Sequence, residues 1–169
     1  MELAELINRS VPYAAATLSA ASGCAVLTVE SAALAEVLRF LRDDPDQRYE
    51  MLVDVTAADH TALSGTIHVV YQLCSLSRNV RLMVKTIVPA RQPAVPSVAS
   101  LWRSANWAER EVWDMFGVRF DGHPDLRRIL MYAEFVGYPL LKSYPVSRRQ
   151  PLIEERDPIA NPWPSRDGL

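Results

Sequence analysis

The stretch "YEMLVDVTAADHTALSGTIHVVYQLCSLSRNVRLMVKTIV", residues 49–88, decides the fold. No proline occurs between Pro45 and Pro89, so a sheet can run through this interval without losing ladder hydrogen bonds. Three strand-like runs divide it. In the first, Met51, Val53 and Val55 alternate inward; in the second, Ile67, Val69, Tyr71 and Leu73; in the third, Val80, Leu82 and Val84 alternate against Arg81, Met83 and Lys85. The link "CSLSRN" between the last two is short and polar, which predicts an antiparallel hairpin. Cys74, inside the second run, reads as a buried thiol.

Working outward, "AVLTVE" (25–30) reads as a strand and "SAALAEVLRFLRDD" (31–44) as a helix. Ser31 is placed to cap that helix, and Leu34, Val37, Leu38 and Leu41 form one apolar stripe. A helix followed by hairpin-linked strands points to an α+β fold, a two-layer sheet with helices on one face. Beyond it, "PARQPAVPS" (89–97) reads as a loop that carries the chain off the sheet. Ser97 then precedes a second helical region, in which Asn106 and Glu109 have capping-box spacing, so a fresh helix is expected to start at Trp107. Gly117 follows Phe116 as the glycine that ends it in a left-handed turn. Trp102, Trp107 and Trp113 read as a core stripe. Past Tyr138 periodicity stops, and six of the twelve prolines fall in residues 139–169. The division is therefore an α+β domain at 1–138 and an extended proline-rich C-terminal tail at 139–169 that docks on a partner.

The formal charge of −2 gives no global bias toward nucleic acid, but its distribution is uneven. Residues 1–60 carry ten acids and four bases, whereas residues 118–149 carry three acids and six bases. A basic strip on an acidic body suits docking onto an acidic protein or anionic headgroups. The two cysteines, Cys24 and Cys74, form no CxxC pair and are too few for a disulfide framework or an all-cysteine iron–sulfur site. "MELAELINRS" is not a signal peptide, and no run approaches the ~18 apolar residues of a membrane span, so a cytosolic location is expected.

Chemistry would have to reside in "NWAEREVWDMFGVRFDGHPDLRRIL", residues 106–130. Glu111 and Asp114 stand at i, i+3, a spacing found among carboxylate metal ligands, but no histidine follows on the next turn. Arg110, at i, i+4 from Asp114, and Arg127 and Arg128 beyond the turn supply basic partners, which favours an ion-pair network. "GVRFDGHP" has the glycine spacing of a phosphate loop at Gly117 and Gly122. His123-Pro124 stands where Lys-Ser/Thr is required, leaving two turn glycines around a short strand. His123, held extended by Pro124, is expected to pin that turn by hydrogen bonds. No catalytic apparatus emerges from these residues.

At this point a family can be recognised. "WAEREVWDMFGVRFDGHPDLRRILM" resembles the signature segment of the thirty-kilodalton subunit of respiratory complex I, the C-type subunit of bacterial NADH:quinone oxidoreductase, and "GYPLLKSYPVSRRQPL" continues the likeness. The resemblance covers roughly residues 26–153, with Leu141, Ser143 and Tyr138 as local departures. It implies a non-catalytic scaffold subunit in the peripheral arm of a proton-pumping oxidoreductase, on the cytoplasmic side of the bacterial inner membrane. Cofactors are then expected to be none on this chain, with FMN and Fe–S clusters in partner subunits. The implied partners are the quinone-pocket subunit (forty-nine-kilodalton or D-type) and the terminal-cluster subunit (B-type), with no nucleic acid and only indirect membrane contact. The suspected interface is Glu109, Arg110, Glu111, Asp114, Phe116, Gly117, Gly122, His123, Pro124, Asp125, Arg127, Arg128, Lys142, Arg148 and Arg149. The equivalent subunit of a related membrane-bound hydrogenase, and a free-standing adaptor for an acidic protein, remain the alternatives.

Overall fold

The computed structural model describes residues 3–21 and 23–150. Helix α1 (Leu3–Ser10) buries Ile7, and a 3-10 turn at Pro12–Ala14 leads into strand β1 (Thr17–Ala21). Asn8 fixes that corner: its amide donates to the Ala16 carbonyl (2.9 Å) and accepts from the Ala16 N–H (2.7 Å). Strand β2 (Cys24–Thr28) follows, then a 3-10 turn at Ser31–Ala33 and helix α2 (Leu34–Asp43). The apolar stripe is as expected, with Leu34, Val37, Leu38 and Leu41 all fully buried. Ser31 does not cap this helix. It opens the 3-10 turn, whose backbone bond from Ala33 N to Glu30 O (3.1 Å) serves where a side-chain oxygen would have.

Strands β3 (Met51–His60), β4 (Thr66–Ser75) and β5 (Val80–Pro89) are the long members of the sheet, with a single helical turn α3 (Thr61–Ser64) after β3. The order is β1-β2-β5-β4-β3. Neighbours run antiparallel except β2 and β5, which are parallel, with Leu27 opposite Val84. The hairpin from β4 to β5 is the one expected. In β4, every second residue is buried, and Ile67, Val69, Tyr71 and Leu73 join one core cluster with α1, α2 and the later helix. The intervening residues, His68, Val70, Gln72 and Cys74 among them, stay half-exposed, so helices cover one face. Cys74 is thus half-buried on the open face, not a core thiol.

The expected phase of β3 is wrong at its start. Met51 and Val53 are 45% and 41% exposed, and Leu52 and Val55 point inward. The register shifts between Leu52 and Asp54, and a bulge adds one residue to a strand, reversing the faces on one side of it.

Downstream, β6 (Ala94–Pro96) lies within the stretch expected to be a loop. It becomes a strand because β7 (Arg119–Asp121), beyond the next helix, pairs with it in parallel. Helix α4 (Ala105–Phe116) starts two residues before the expected Trp107. Residues 98–104 turn into it through Trp102 N to Val98 O (3.1 Å) and Ala105 N to Trp102 O (3.1 Å). Ser104, at its N-cap, gives its hydroxyl to the Leu52 carbonyl (3.1 Å) and so ties the helix to β3.

After β7 no helix or strand forms among residues 122–150; this is an irregular coil. It is attached to the domain. Leu140 N donates to Met115 O (3.1 Å) and Lys142 N to Asp59 Oδ2 (2.7 Å), so residues 139–150, read from the sequence as tail, hydrogen-bond to the body. The remainder of the stretch, 151–169, lies outside the described residues.

Candidate functional site

Three acids on α4 have separate fates. Glu109 is fully buried and does not close a capping box with Asn106. Its carboxylate accepts from Ser97 Oγ (2.6 Å) and the Val98 N–H (2.7 Å), fastening the loop before the helix. Burial pushes its pKa from 4.5 to about 7, against the downward pull of those two donors. Tyr71, whose hydroxyl is buried without a partner among the described residues, is pushed well above the ordinary phenol value by burial and then by Glu109.

His123 comes to the same place from the turn after β7. Its ring accepts from the Asp125 N–H at Nδ1 (3.0 Å), which puts the proton on Nε2, and Nε2 donates to the Asn106 carbonyl (3.0 Å). The ring pins the turn to the first turn of α4, with Glu109 Oε2 3.9 Å away.

Asp114 is also fully buried. It accepts from Arg128 Nη1 (2.5 Å) and from three consecutive backbone N–H groups, Ile129 (3.1 Å), Leu130 (2.8 Å) and Met131 (2.8 Å). Burial alone would raise its pKa; the donors from Met131, Arg128, Leu130 and Ile129 outweigh it and hold the carboxyl below its usual value. Arg128 extends the clamp. It donates to the carbonyls of Phe135 (2.8 Å) and Gly137 (3.0 Å), and its guanidinium lies 5.5–5.8 Å from the ring centres of Trp113, Phe135 and Tyr138. One carboxylate and one guanidinium thereby hold a coil that has no ladder of its own.

The expected pair of Arg110 with Asp114 is not made. Arg110 reaches across to the carbonyls of Arg127 (3.1 Å) and Arg128 (3.0 Å), because Arg128 occupies the Asp114 carboxylate. Glu111 is exposed while Asp114 is buried, so the two do not share a site. Arg127 pairs with Asp125 (2.9 Å) at the surface. The tryptophan stripe also fails: Trp102 is buried, Trp113 half-buried, and Trp107 is 69% exposed, since only one side of α4 meets the sheet.

Gly117 ends the helix at φ 75°, as expected, and there is a second reason for glycine. A Cβ there would stand 2.6 Å from the Tyr138 ring. Phe116 lies half-buried against the core, and Gly122 turns the chain at φ 83° before His123 and the exposed Pro124. Lys142, Arg148 and Arg149 are exposed on the coil, alongside Leu130, Val136, Leu140 and Val146, each at least half exposed.

Four contributors escaped the sequence reading: Ser97 as a ligand of Glu109, Asn106 as the acceptor for His123, Tyr138 beneath Gly117, and Asp59 as the anchor of Lys142 N. Only Asp59 had a usable signal: it is an acid on the same inward phase as Val55, beyond the bulge, where a buried carboxylate needs a donor.

A mixed five-stranded sheet with helices on one face, and buried acids that clamp an irregular coil across its end, define the class. This is an α+β domain whose ionisable centre fastens its own chain. The family described as the respiratory-chain NADH dehydrogenase 30 Kd subunit matches residues 27–150, and the chain belongs to that family. It is 42% identical over 146 residues to a C-type subunit of NADH-quinone oxidoreductase from Rhodopseudomonas palustris (strain BisB18), covering 86% of this chain and 73% of that one. It is 42% identical over 132 residues to a C/D-type subunit from Methylococcus capsulatus, covering 74% of this chain but 22% of that longer protein. Among solved structures, the trypsin-resistant fragment of Nqo5 matches with a TM-score of 0.62 at 28% identity, over 72% of this chain and 98% of the fragment. No helix among the described residues is long and apolar enough to cross a membrane.

Proposed function

We propose that this chain is a non-catalytic scaffold subunit in the peripheral arm of a proton-pumping NADH:quinone oxidoreductase. It packs against the quinone-pocket subunit and lies near the terminal-cluster subunit, on the cytoplasmic side of the inner membrane. It holds no cofactor itself; FMN and the iron–sulfur clusters belong to the partners. The observation that carries this reading is the clamp. Asp114 and Arg128 hold a coil that exposes Leu130, Leu140 and Val146 together with Lys142, Arg148 and Arg149. Apolar side chains set among bases suit an acidic protein surface. The occurrence of C-type and D-type sequences in one polypeptide supports the adjacency of this chain to the quinone-pocket subunit. Of the suspected interface residues, Glu109, Asp114 and His123 act inward, and the exposed bases and Glu111 face the partner.

The test is deletion of this chain from the assembled complex. NADH-to-quinone transfer should be lost through disassembly, while the detached module still passes electrons from NADH to an artificial acceptor. A fully assembled complex with a purely chemical defect would overturn the reading.

A further inference from the structure

Trp107 is the most exposed aromatic side chain among the described residues. It walls a cleft of about 370 Å³ together with Ala99, Arg103, Asn106 and Pro124. Arg103 is the only charged residue of that lining, and it has no ionic partner among the described residues. The cleft is held open by fixed parts. His123 hydrogen-bonds to the Asn106 carbonyl, which brings the next residue, Pro124, into the same lining as Trp107, and Glu109 ties down the loop that carries Ala99. One turn further along α4, Arg110 bonds to the carbonyls of Arg127 and Arg128, so the same surface continues onto the clamped coil.

The chemistry of the lining selects its occupant. A lone guanidinium with no acid beside it is complemented by a carboxylate. An indole and a proline ring lining one cleft are complemented by an apolar side chain, and tryptophan and arginine are among the residues on which interfaces most often depend. We propose that this cleft is the anchor of the partner interface and that it receives an extended acidic segment of the quinone-pocket subunit. A carboxylate sits on Arg103 and a neighbouring apolar side chain stacks on Trp107. The proposal rests on the docking function above and names the point where that docking is strongest.

The experiment uses the full chain with the quinone-pocket polypeptide of the same complex, purified as a pair, and measures the dissociation constant at low and high salt. Trp107→Ala should weaken binding by at least about 30-fold, the scale of an interface hot spot. Arg103→Glu should weaken it and reduce its salt dependence. Ile87→Ala, on the open sheet face, should leave binding within about twofold, a change too small for a hot spot. All three positions are exposed, so unchanged circular dichroism is expected for each variant. If the quinone-pocket polypeptide binds the wild type but Trp107→Ala binds it equally well, the cleft proposal falls and the docking function stands. If the wild-type chain does not bind that polypeptide, both fall. A fluorotryptophan resonance, assigned by Trp107→Phe, should shift when the partner polypeptide is added. It should not shift in the free full chain carrying Glu154→Lys and Glu155→Lys; a shift there would assign the cleft to this chain's own acidic segment and overturn the proposal.

Discussion

Glutamine in place of Glu109 removes a charge while keeping the size and both contacts. Its carbonyl oxygen can accept from the Val98 N–H, and its amide can donate to Ser97 Oγ. The carboxyl is fully buried, with a pKa of about 7 against 4.5 for an ordinary glutamate. An acid whose pKa is raised on folding binds its proton more tightly in the native state. Its contribution is fully present below pH 4.5 and is lost as pH rises through about 7. At roughly 1.4 kcal/mol for each pH unit, that span is worth on the order of 3 kcal/mol. The wild-type chain should therefore lose stability of that order between about pH 4.5 and about pH 8, and Glu109→Gln should not. Groups such as Asp114, whose pKa is lowered, are common to both proteins and cancel in the comparison. Urea unfolding followed by near-ultraviolet circular dichroism, at constant ionic strength across that range, gives the two stability curves. A variant whose advantage grows with pH supports the assignment; two parallel curves would refute it and show that Glu109 is effectively solvated.

Asp114→Ala should cost about 3–5 kcal/mol, the penalty for breaking an ion pair whose acid is fully buried and for leaving its donors unpaired, unless the coil detaches first. Amide exchange at Ile129, Leu130 and Met131 distinguishes the two routes, and unchanged protection there would contradict the clamp. Because the Asp114 pKa is lowered, its contribution is present above the unfolded value and lost as pH falls through the folded one; acid should release the coil before the sheet, as residue-resolved exchange would report. Gly117→Val should cost more than the roughly 1 kcal/mol of a strained left-handed residue, since Tyr138 must also move, and an unchanged melting temperature would count against the described helix end.

The legibility of this chain in its sequence followed how local each determinant is. The α2 stripe and the β4–β5 hairpin were readable because their periodicity and turn lie within a few consecutive residues. The phase of β3 was not, because nothing around Val53 announces a bulge that only the partner strand reveals. The pairing of β6 with β7 needs a strand from beyond α4, so three residues that follow Pro93 and end on Pro96 read as loop. At the site, the basic strip and the turn glycine at Gly117 were visible. The capping box was a false match, since Glu109 reaches Ser97 and Val98 from a preceding loop and not Asn106. The bases that could pair with Asp114 are legible as Arg110, Arg127 and Arg128, but the choice of Arg128 among them, and the three coil amides that come with it, depends on how the coil folds back over the helix.

The parallel pairing of β2 with β5 has a consequence for how the chain comes off the ribosome. The β1–β2 hairpin is made first, and α2 soon after, but the free edge of β2 finds its hydrogen-bond partners only when Leu82 to Lys85 have been synthesised. Pairings between distant segments form late, because closing the intervening chain comes before any contact is gained. Through that interval β2 is a bare strand edge beside the unburied stripe of α2, the kind of surface that aggregates or recruits chaperones. The hairpin of β4 and β5 must then insert between β2 and β3, so the middle of the sequence completes a sheet whose two edges were made before it.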